Sequence, residues 1–289
     1  QLFNRTTRNI LVSVITVGLV FYCLSNYLWD IPHKDFRDFK VDRNIAERKA
    51  LEQEAMANTQ ILAYKMENKE TGEKVELPYV DYLANYKSYP SAEWDLEQIY
   101  DEPTVKETKI SEFDIFDLEG NIVNDAVLDS EQPVLMIVAH KLYADGTPAT
   151  QIVKDTIYQR DSILQSDGTY IVEQNISRVD ERTETYTDYL WKDYYAKRYT
   201  EVVVPFIDDA RKAGVGAVAV VGGADNDQIR DLATDLKINA QLANADDVLL
   251  KTIVRSNPGV VLFKDGTILQ KWHHRKLPSF EEVRKQYLR

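Results

Sequence analysis

Residues 114–140 read DIFDLEGNIVNDAVLDSEQPVLMIVAH, and the last eight of them decide the fold. After Pro133, Val134 to Ala139 are apolar without alternation. A strand with one wet face alternates apolar and polar residues, so an unbroken run predicts a strand covered on both faces. Just upstream, FDIFD-LEGN-IVND has the pattern of strand, glycine turn and strand. Downstream, order resumes with a predicted helix over Tyr199–Lys212, closing on Gly214, and a strand over Val215–Val221 that ends at Gly222-Gly223. Helices follow over Asp225–Leu236, with Asp225 or Asn226 as N-cap, and over Asp246–Val254, with Asp246 or Asp247 near its cap. Gly259–Lys264 and Thr267–Trp272 flank Asp265-Gly266, the favoured two-residue hairpin turn. Ser279 caps a last helix, Phe280–Tyr287. Strands alternating with helices and closing on an antiparallel hairpin predict an α/β three-layer sandwich with a mixed sheet.

The N-terminal part is of another kind. Ile10–Trp29 is uncharged, and at about 1.5 Å per residue it reaches about 30 Å, the thickness of a hydrocarbon core. It is read as one transmembrane helix that puts the chain in a lipid bilayer, with Tyr27 and Trp29 at an interface and Asp30 and Pro32 ending it. The stretch is longer than the apolar part of a signal peptide, and no small-x-small cleavage site follows it. Arg5 and Arg8 precede it, and Lys34, Arg37, Lys40 and Arg43 follow, a count that by itself places the large domain inside the cell. The first residue is Gln, and any earlier spans would override that count. Residues 33–60 are highly charged, and RNIAERKALEQEAM reads as an exposed helix or juxtamembrane stalk. ILAYKMENKETGEKVELPYV is a hairpin around Lys69–Gly72, and residues 80–109 form an irregular connector with Trp94 and Tyr100 as packing anchors.

Composition removes several function classes. The net charge of −12 argues against nucleic acid as a partner, because duplex binders concentrate positive charge. The single cysteine, Cys23, lies inside the apolar helix and excludes intrachain disulfides, Cys-based zinc sites and a C-x-x-C pair. Four histidines leave little for a His-rich site, and no metal or other cofactor is expected. The neighbours His273 and His274 point to opposite faces of a strand, which suits an ordinary strand end better than a metal. Gly222-Gly223-Ala224-Asp225 lacks the spacing of a phosphate loop and reads as a tight turn.

DIFDLEGNIVNDAVLDSEQPVLMIVAH resembles the opening of a TlpA-like or peroxiredoxin-like thioredoxin fold, and IVRSNPGVVLFKDGTILQKW is similar to its end. The resemblance covers about residues 110–289. It implies that Pro258 holds the place of a cis-proline before a strand and that Lys264-Asp265-Gly266 turns the terminal hairpin. The Asn257–Pro258 bond is therefore expected to be cis, at the modest energy an X-Pro bond requires. The apolar helix followed by YKMENKETGEKVELPYVDY also resembles the extracytoplasmic tail of DoxX-type membrane proteins of the Bacteroidetes. That resemblance implies further spans before Gln1, an inner-membrane location and a periplasmic soluble domain. The organisation expected is residues 1–32 as transmembrane helix and flanks, 33–109 as stalk, hairpin and connector, and 110–289 as a thioredoxin-like domain with an insertion at about 141–198.

The departures from that family shape the functional expectation. Where a thioredoxin places C-x-x-C, this chain reads His140-Lys141-Leu142-Tyr143, and residues 30–289 contain no cysteine. The insertion is far longer than a βα loop. It is expected to hold a helix over Ala149–Leu164, a turn at Ser166-Asp167-Gly168, a strand-like TYIVEQNISRV and an aromatic cluster of Tyr186, Tyr189, Trp191, Tyr194, Tyr195 and Tyr199. That cluster reads first as an amphipathic helix packing the insertion down, and second as an interface anchor. His140, Lys141 and Tyr143, with Tyr194, Tyr195, Asn257 and Pro258, are the candidate binding residues, and no catalytic residue is assigned. The expected function is a membrane-anchored, redox-inactive module that binds or scaffolds an envelope or inner-membrane protein complex. The alternative is an envelope thiol-redox protein that works with cysteines of other spans or of a partner chain.

Overall fold

The computed structural model describes residues 4–29, 34–164 and 170–288. The apolar run forms one uninterrupted helix, α1 (Arg5–Trp29). Its side chains face outward all round, Val17 and Phe21 being 68% and 76% exposed, as no core helix of a soluble protein would be. Arg5–Ser25 is long and apolar enough to cross a membrane and is a candidate span. Asp30 and Pro32, expected to end this helix, lie outside the described residues.

The charged segment that follows is not a free stalk. Helix α2 (Ile45–Ala57) is capped by Asn44, whose side chain accepts from Glu47 N, and it buries Ile45, Glu52 and Ala55. Asp42 N donates to Ile268 O at 2.8 Å and Ile45 N to Gly266 O at 2.7 Å, so the segment is stitched to the terminal hairpin. The apolar residues Phe39 and Ile45, lost among charges in the sequence, are fully buried. Glu52 is buried too, its carboxylate accepting from Thr108 N (2.9 Å), Thr108 Oγ1 (2.8 Å) and Arg48 Nε.

Strands β1 (Ile61–Asn68) and β2 (Lys74–Pro78) form the expected hairpin. The stretch read as an irregular connector is more ordered than that. It forms helix α3 (Tyr79–Asn85) and strand β3 (Trp94–Tyr100), which pairs with β1 to complete an antiparallel sheet of order β2-β1-β3. WDLEQIY alternates apolar and polar residues, the pattern of a half-buried strand. Trp94 is buried, whereas Tyr100 is exposed and is no packing anchor.

The strand–turn–strand expected over residues 113–124 is reduced to single bridges. Phe116 pairs with Ile122 and, by two main-chain hydrogen bonds of 2.9 and 2.8 Å, with Asn244. After α4 (Asp125–Leu128) comes β4 (Val134–Ala139), buried along its whole length. Then β5 (Ala144–Leu164) and β6 (Tyr170–Trp191) pair antiparallel as a two-stranded ribbon. The helix expected over Ala149–Leu164 is thus part of a strand. Thr150, Ile152, Val153, Thr156 and Ile157 are β-branched, and their preference for extended backbone wins. The turn Ser166-Asp167-Gly168 lies outside the described residues.

Helix α5 (Asp193–Arg198), a π-helical turn over Tyr199–Val203 and α6 (Val204–Lys212) run on without a break. Next come β7 (Gly216–Gly222), α7 (Asn226–Asp235), β8 (Gln241–Ala245), α8 (Asp247–Ile253), β9 (Gly259–Lys264), β10 (Thr267–His273) and α9 (Phe280–Tyr287). Asp225, Asp246 and Ser279 cap α7, α8 and α9, as expected. The sheet order is β10-β9-β4-β7-β8, with β4, β7 and β8 parallel and β9 antiparallel to β4 and β10. Asp265 and Gly266 both have positive φ, 48° and 68°, the turn that a two-residue D-G hairpin needs. This is the expected three-layer α/β sandwich with a mixed sheet.

Residues 1–142 and 198–289 make up one compact unit, and residues 143–197 a second. In the first, Val134, Met136 and Val138 of β4 join a core with Phe39, Ile45, Phe113, Leu249, Leu250 and Phe263. The alternate residues Leu135, Ile137 and Ala139 are buried on the opposite face. Among the helices, α6 lies against β7 and α9, with Phe206 edge-on to Phe280 at 5.6 Å. A buried cation also ties this unit together. Lys271 Nζ donates to the Asp35 carboxylate, to Phe39 O and to Ile253 O. Burial alone would raise the Asp35 carboxyl, but hydrogen bonds from Arg37 and Lys271 outweigh it and hold its pKa at about 2. Burial pushes Lys271 down, and the Asp35 contact offsets part of that.

A carboxyl with a depressed folded pKa stabilises the protein above its unfolded value, near 4, and loses that contribution as pH falls toward 2. Asp35→Asn should therefore cost about 3 kcal/mol at neutral pH, where it leaves a buried ammonium poorly paired. The difference from wild type should shrink between about pH 4 and pH 2, as measured by urea unfolding followed through tryptophan fluorescence.

Candidate functional site

Strand β4 delivers His140 at its carboxyl end, and the loop from α8 into β9 runs alongside. His140 Nε2 lies 3.1 Å from Arg255 O, so Nε2 carries the ring hydrogen and Nδ1 is an acceptor. Asn257 Nδ2 donates to Lys141 O at 2.6 Å, and Asn257 O accepts from Arg198 Nη1. The Asn257–Pro258 bond is cis, as expected. His140, Lys141, Asn257 and Pro258 are thus brought together within the first unit. Among the described residues, His140 Nδ1 and Asn257 Oδ1 are buried and have no hydrogen-bond partner.

Sequence reasoning missed the polar groups that hold this loop. Ser256 is fully buried; its Oγ donates to Pro258 O at 2.6 Å and accepts from His274 N at 3.2 Å. His274 Nδ1 sits 3.2 Å from both Ser256 Oγ and Pro258 O. His273 and His274 do not point to opposite faces of a strand as expected: β10 ends at His273, His274 opens a 3-10 turn, and the two buried rings lie 4.2 Å apart, with His274 supporting the loop. The Ser256–His274 pair is not arranged as nucleophile and base, because the hydroxyl is inaccessible and its proton is directed at a carbonyl. Burial, then the neighbouring His273 and Arg198, lower the His274 pKa to about 4. Burial also lowers that of His140. Both rings are neutral near pH 7, so His140 Nδ1 can accept a hydrogen bond there.

The other candidate residues belong to the second unit. The Tyr143 ring centroid lies 5.9 Å from that of Tyr194 and 5.2 Å from that of Tyr195. Lys192 N donates to Tyr143 O at 3.0 Å, and Lys192 pairs with Asp145. Tyr195 is fully buried, whereas Tyr194 is 53% exposed, so Tyr194 alone of this pair presents its ring. The aromatic cluster does not share one amphipathic helix. Tyr186, Tyr189 and Trp191 lie on β6, Tyr194 and Tyr195 on α5, and Tyr199 is buried at the start of the π-helical turn. Gly222-Gly223 makes a tight turn into α7, packed so closely that a Cβ on Gly222 would stand 2.8 Å from Asp247 Cα. Among the described residues, no three or more His, Cys, Asp or Glu side chains are grouped to hold a metal.

The site as built holds two buried acceptors without donors and has no thiol, metal cluster or accessible activated hydroxyl among its described groups. No family model matches the chain, and no curated protein matches it. The DoxX resemblance therefore has no counterpart in these comparisons. A secreted Mycobacterium tuberculosis disulfide oxidoreductase homologous to E. coli DsbE is similar over 60% of this chain and 91% of its own, at 14% identity and a TM-score of 0.32.

The unfolded chain takes up the His274 proton near pH 6.5, but the folded chain only near 4. Acidification across that interval therefore removes stability. His274→Gln should flatten the fall in unfolding free energy between about pH 6.5 and pH 4. The matching NMR observation is a His274 ring still neutral at pH 6.

Proposed function

We propose that this chain is a membrane-anchored thioredoxin-like module that acts by binding a protein partner and not by thiol chemistry, as part of a bacterial envelope complex. The observation that carries the reading is the end of β4. His140-Lys141-Leu142-Tyr143 stands where the fold would react, and the loop beside it holds two buried acceptors, His140 Nδ1 and Asn257 Oδ1. Buried acceptors that lack donors within the protein suit a ligand that displaces the loop and supplies N–H or O–H groups, as a polypeptide main chain does. Losing the nucleophile closes the covalent route. The outward apolar surface of α1 supports anchoring in a bilayer, with the soluble domain on the periplasmic side in this reading. The net charge of −12 speaks against a nucleic-acid partner.

Tyr194, exposed beside Tyr143, is the aromatic anchor the reading assigns to the partner. Affinity capture from detergent-solubilised membranes tests it. Tyr194→Ala should keep a cooperative unfolding transition and lower partner recovery by about tenfold, the effect of losing a moderate anchor. Equal recovery with wild type would remove Tyr194 from the interface, and a catalytic turnover abolished by His140→Ala would replace binding with an enzyme.

A further inference from the structure

The β5–β6 ribbon has no sheet partner among the described residues and pairs only with itself. At about 3.3 Å per residue its 22-residue strand β6 extends about 70 Å. Two-stranded hairpins are marginal in water, and stability comes with three or more strands that share an apolar face. One face of this ribbon carries Ile152, Thr156, Val179, Thr183, Thr185 and Thr187, all exposed, with the Lys154–Glu181 ion pair between them. The two outer edges are not alike. Strand β5 carries Gly146, Pro148 and Lys154, residues that blunt an edge, whereas β6 has no glycine, proline or lysine.

We infer that the outer edge of β6 pairs antiparallel with β6 of a second copy of this chain, centred on Thr183. The charge sequence of this strand is what points there. A two-fold axis normal to the sheet places a residue i opposite 366 − i when Thr183 is its own partner. Arg182 then faces Glu184 of the copy, Arg178 faces Asp188, Val179 faces Thr187, Asp180 faces Tyr186 and Glu181 faces Thr185. The two-fold doubles each ion pair, giving four, and no like charges stand opposite. Cross-strand opposite charges and Thr–Thr pairs stabilise, and like charges destabilise.

The two adjacent registers fail on the same criterion, and centring on Thr185 keeps only the Arg182–Asp188 pairs, two ion pairs in place of four. Centring on Arg182 sets that residue against itself and Asp180 against Glu184; centring on Glu184 sets that residue against itself and Asp180 against Asp188. On the edge of β5, centring on Ile157 opposes Lys154 and Arg160, centring on Tyr158 opposes Asp155 and Asp161, and centring on Ile152 forms no ion pair. The irregularity that skips Ser177, opposite Ile157 and Tyr158, ends the regular register at Arg178. Eleven residues, 178–188, remain, all at least partly exposed. Their pairing adds about ten main-chain hydrogen bonds and makes a four-stranded sheet with the Thr-, Val- and Ile-bearing faces on one side. The same contact on both partners makes the dimer closed. This inference is independent of what the domain at the end of β4 binds.

Cysteine cross-linking of the full chain in detergent tests it, in a Cys23→Ser background. Thr183→Cys should form an intermolecular disulfide under mild oxidation, since directly opposite residues lie within bridging distance. Thr187→Cys should not, because its own copy stands about 26 Å away along the strand. By light scattering, wild type should carry twice the protomer mass at micromolar concentration. Arg178→Glu with Arg182→Glu should weaken the dimer about tenfold or more, and adding Glu184→Arg with Asp188→Arg should restore it. Equal cross-linking at the two positions, a monomeric wild type, or a reversal without effect would each overturn the inference.

Discussion

All six side chains of β4 are buried, and a strand can be buried on both faces only if a layer of structure lies on each. Each such aliphatic side chain contributes about 1.5–3 kcal/mol when removed from water, so the covering layers are not optional. The requirement is met by β7 and β9 as hydrogen-bonded neighbours, by Leu249, Leu250 and the α2 segment on one face, and by α6 with α9 across the sheet. Only the carboxyl end of β4 is left to emerge, and there the loop before β9 must pass. The site at His140 and Asn257 follows from that geometry.

The same demand explains why the charged segment after α1 is folded and not a stalk. Phe39 and Ile45 complete the core beneath β9 and β10, and burying them draws polar neighbours inward. Those neighbours are satisfied one by one: Lys271 by Asp35 and two carbonyls, Glu52 by Thr108 and Arg48, Lys49 by Asp114 and Phe113 O. Such an arrangement is costly to break at one member, because the remaining charge stays buried. It fixes this segment to the terminal hairpin in one register.

Local pattern revealed the parts of this molecule that local physics governs. Unbroken apolarity marked β4, Asp265-Gly266 marked a turn with two positive φ values, and Asp225, Asp246 and Ser279 marked helix starts. Strand β8 escaped because Gln-Leu-Ala-Asn-Ala has no strand preference of its own and is extended through pairing with β7. The ribbon was half missed because ATQIVKDTIYQRDSIL fits a helical spacing as well as an alternating one. In the site, Asn257-Pro258 was legible as a motif. Arg198, Ser256 and His274 were not, since their contacts join positions 18 to 59 residues apart and leave no local signal.

In the proposed function, the end of β4 binds a protein partner without a covalent step. The most direct measurement is capture of the partner from membranes whose free thiols are blocked by N-ethylmaleimide before lysis, resolved on non-reducing and then reducing gels. Partner recovery should be the same from wild type and Cys23→Ser, and the partner should migrate as a free chain in both dimensions. A partner recovered as a reducible adduct, or lost with Cys23→Ser, would contradict it and favour thiol exchange with cysteines from other spans or a partner chain.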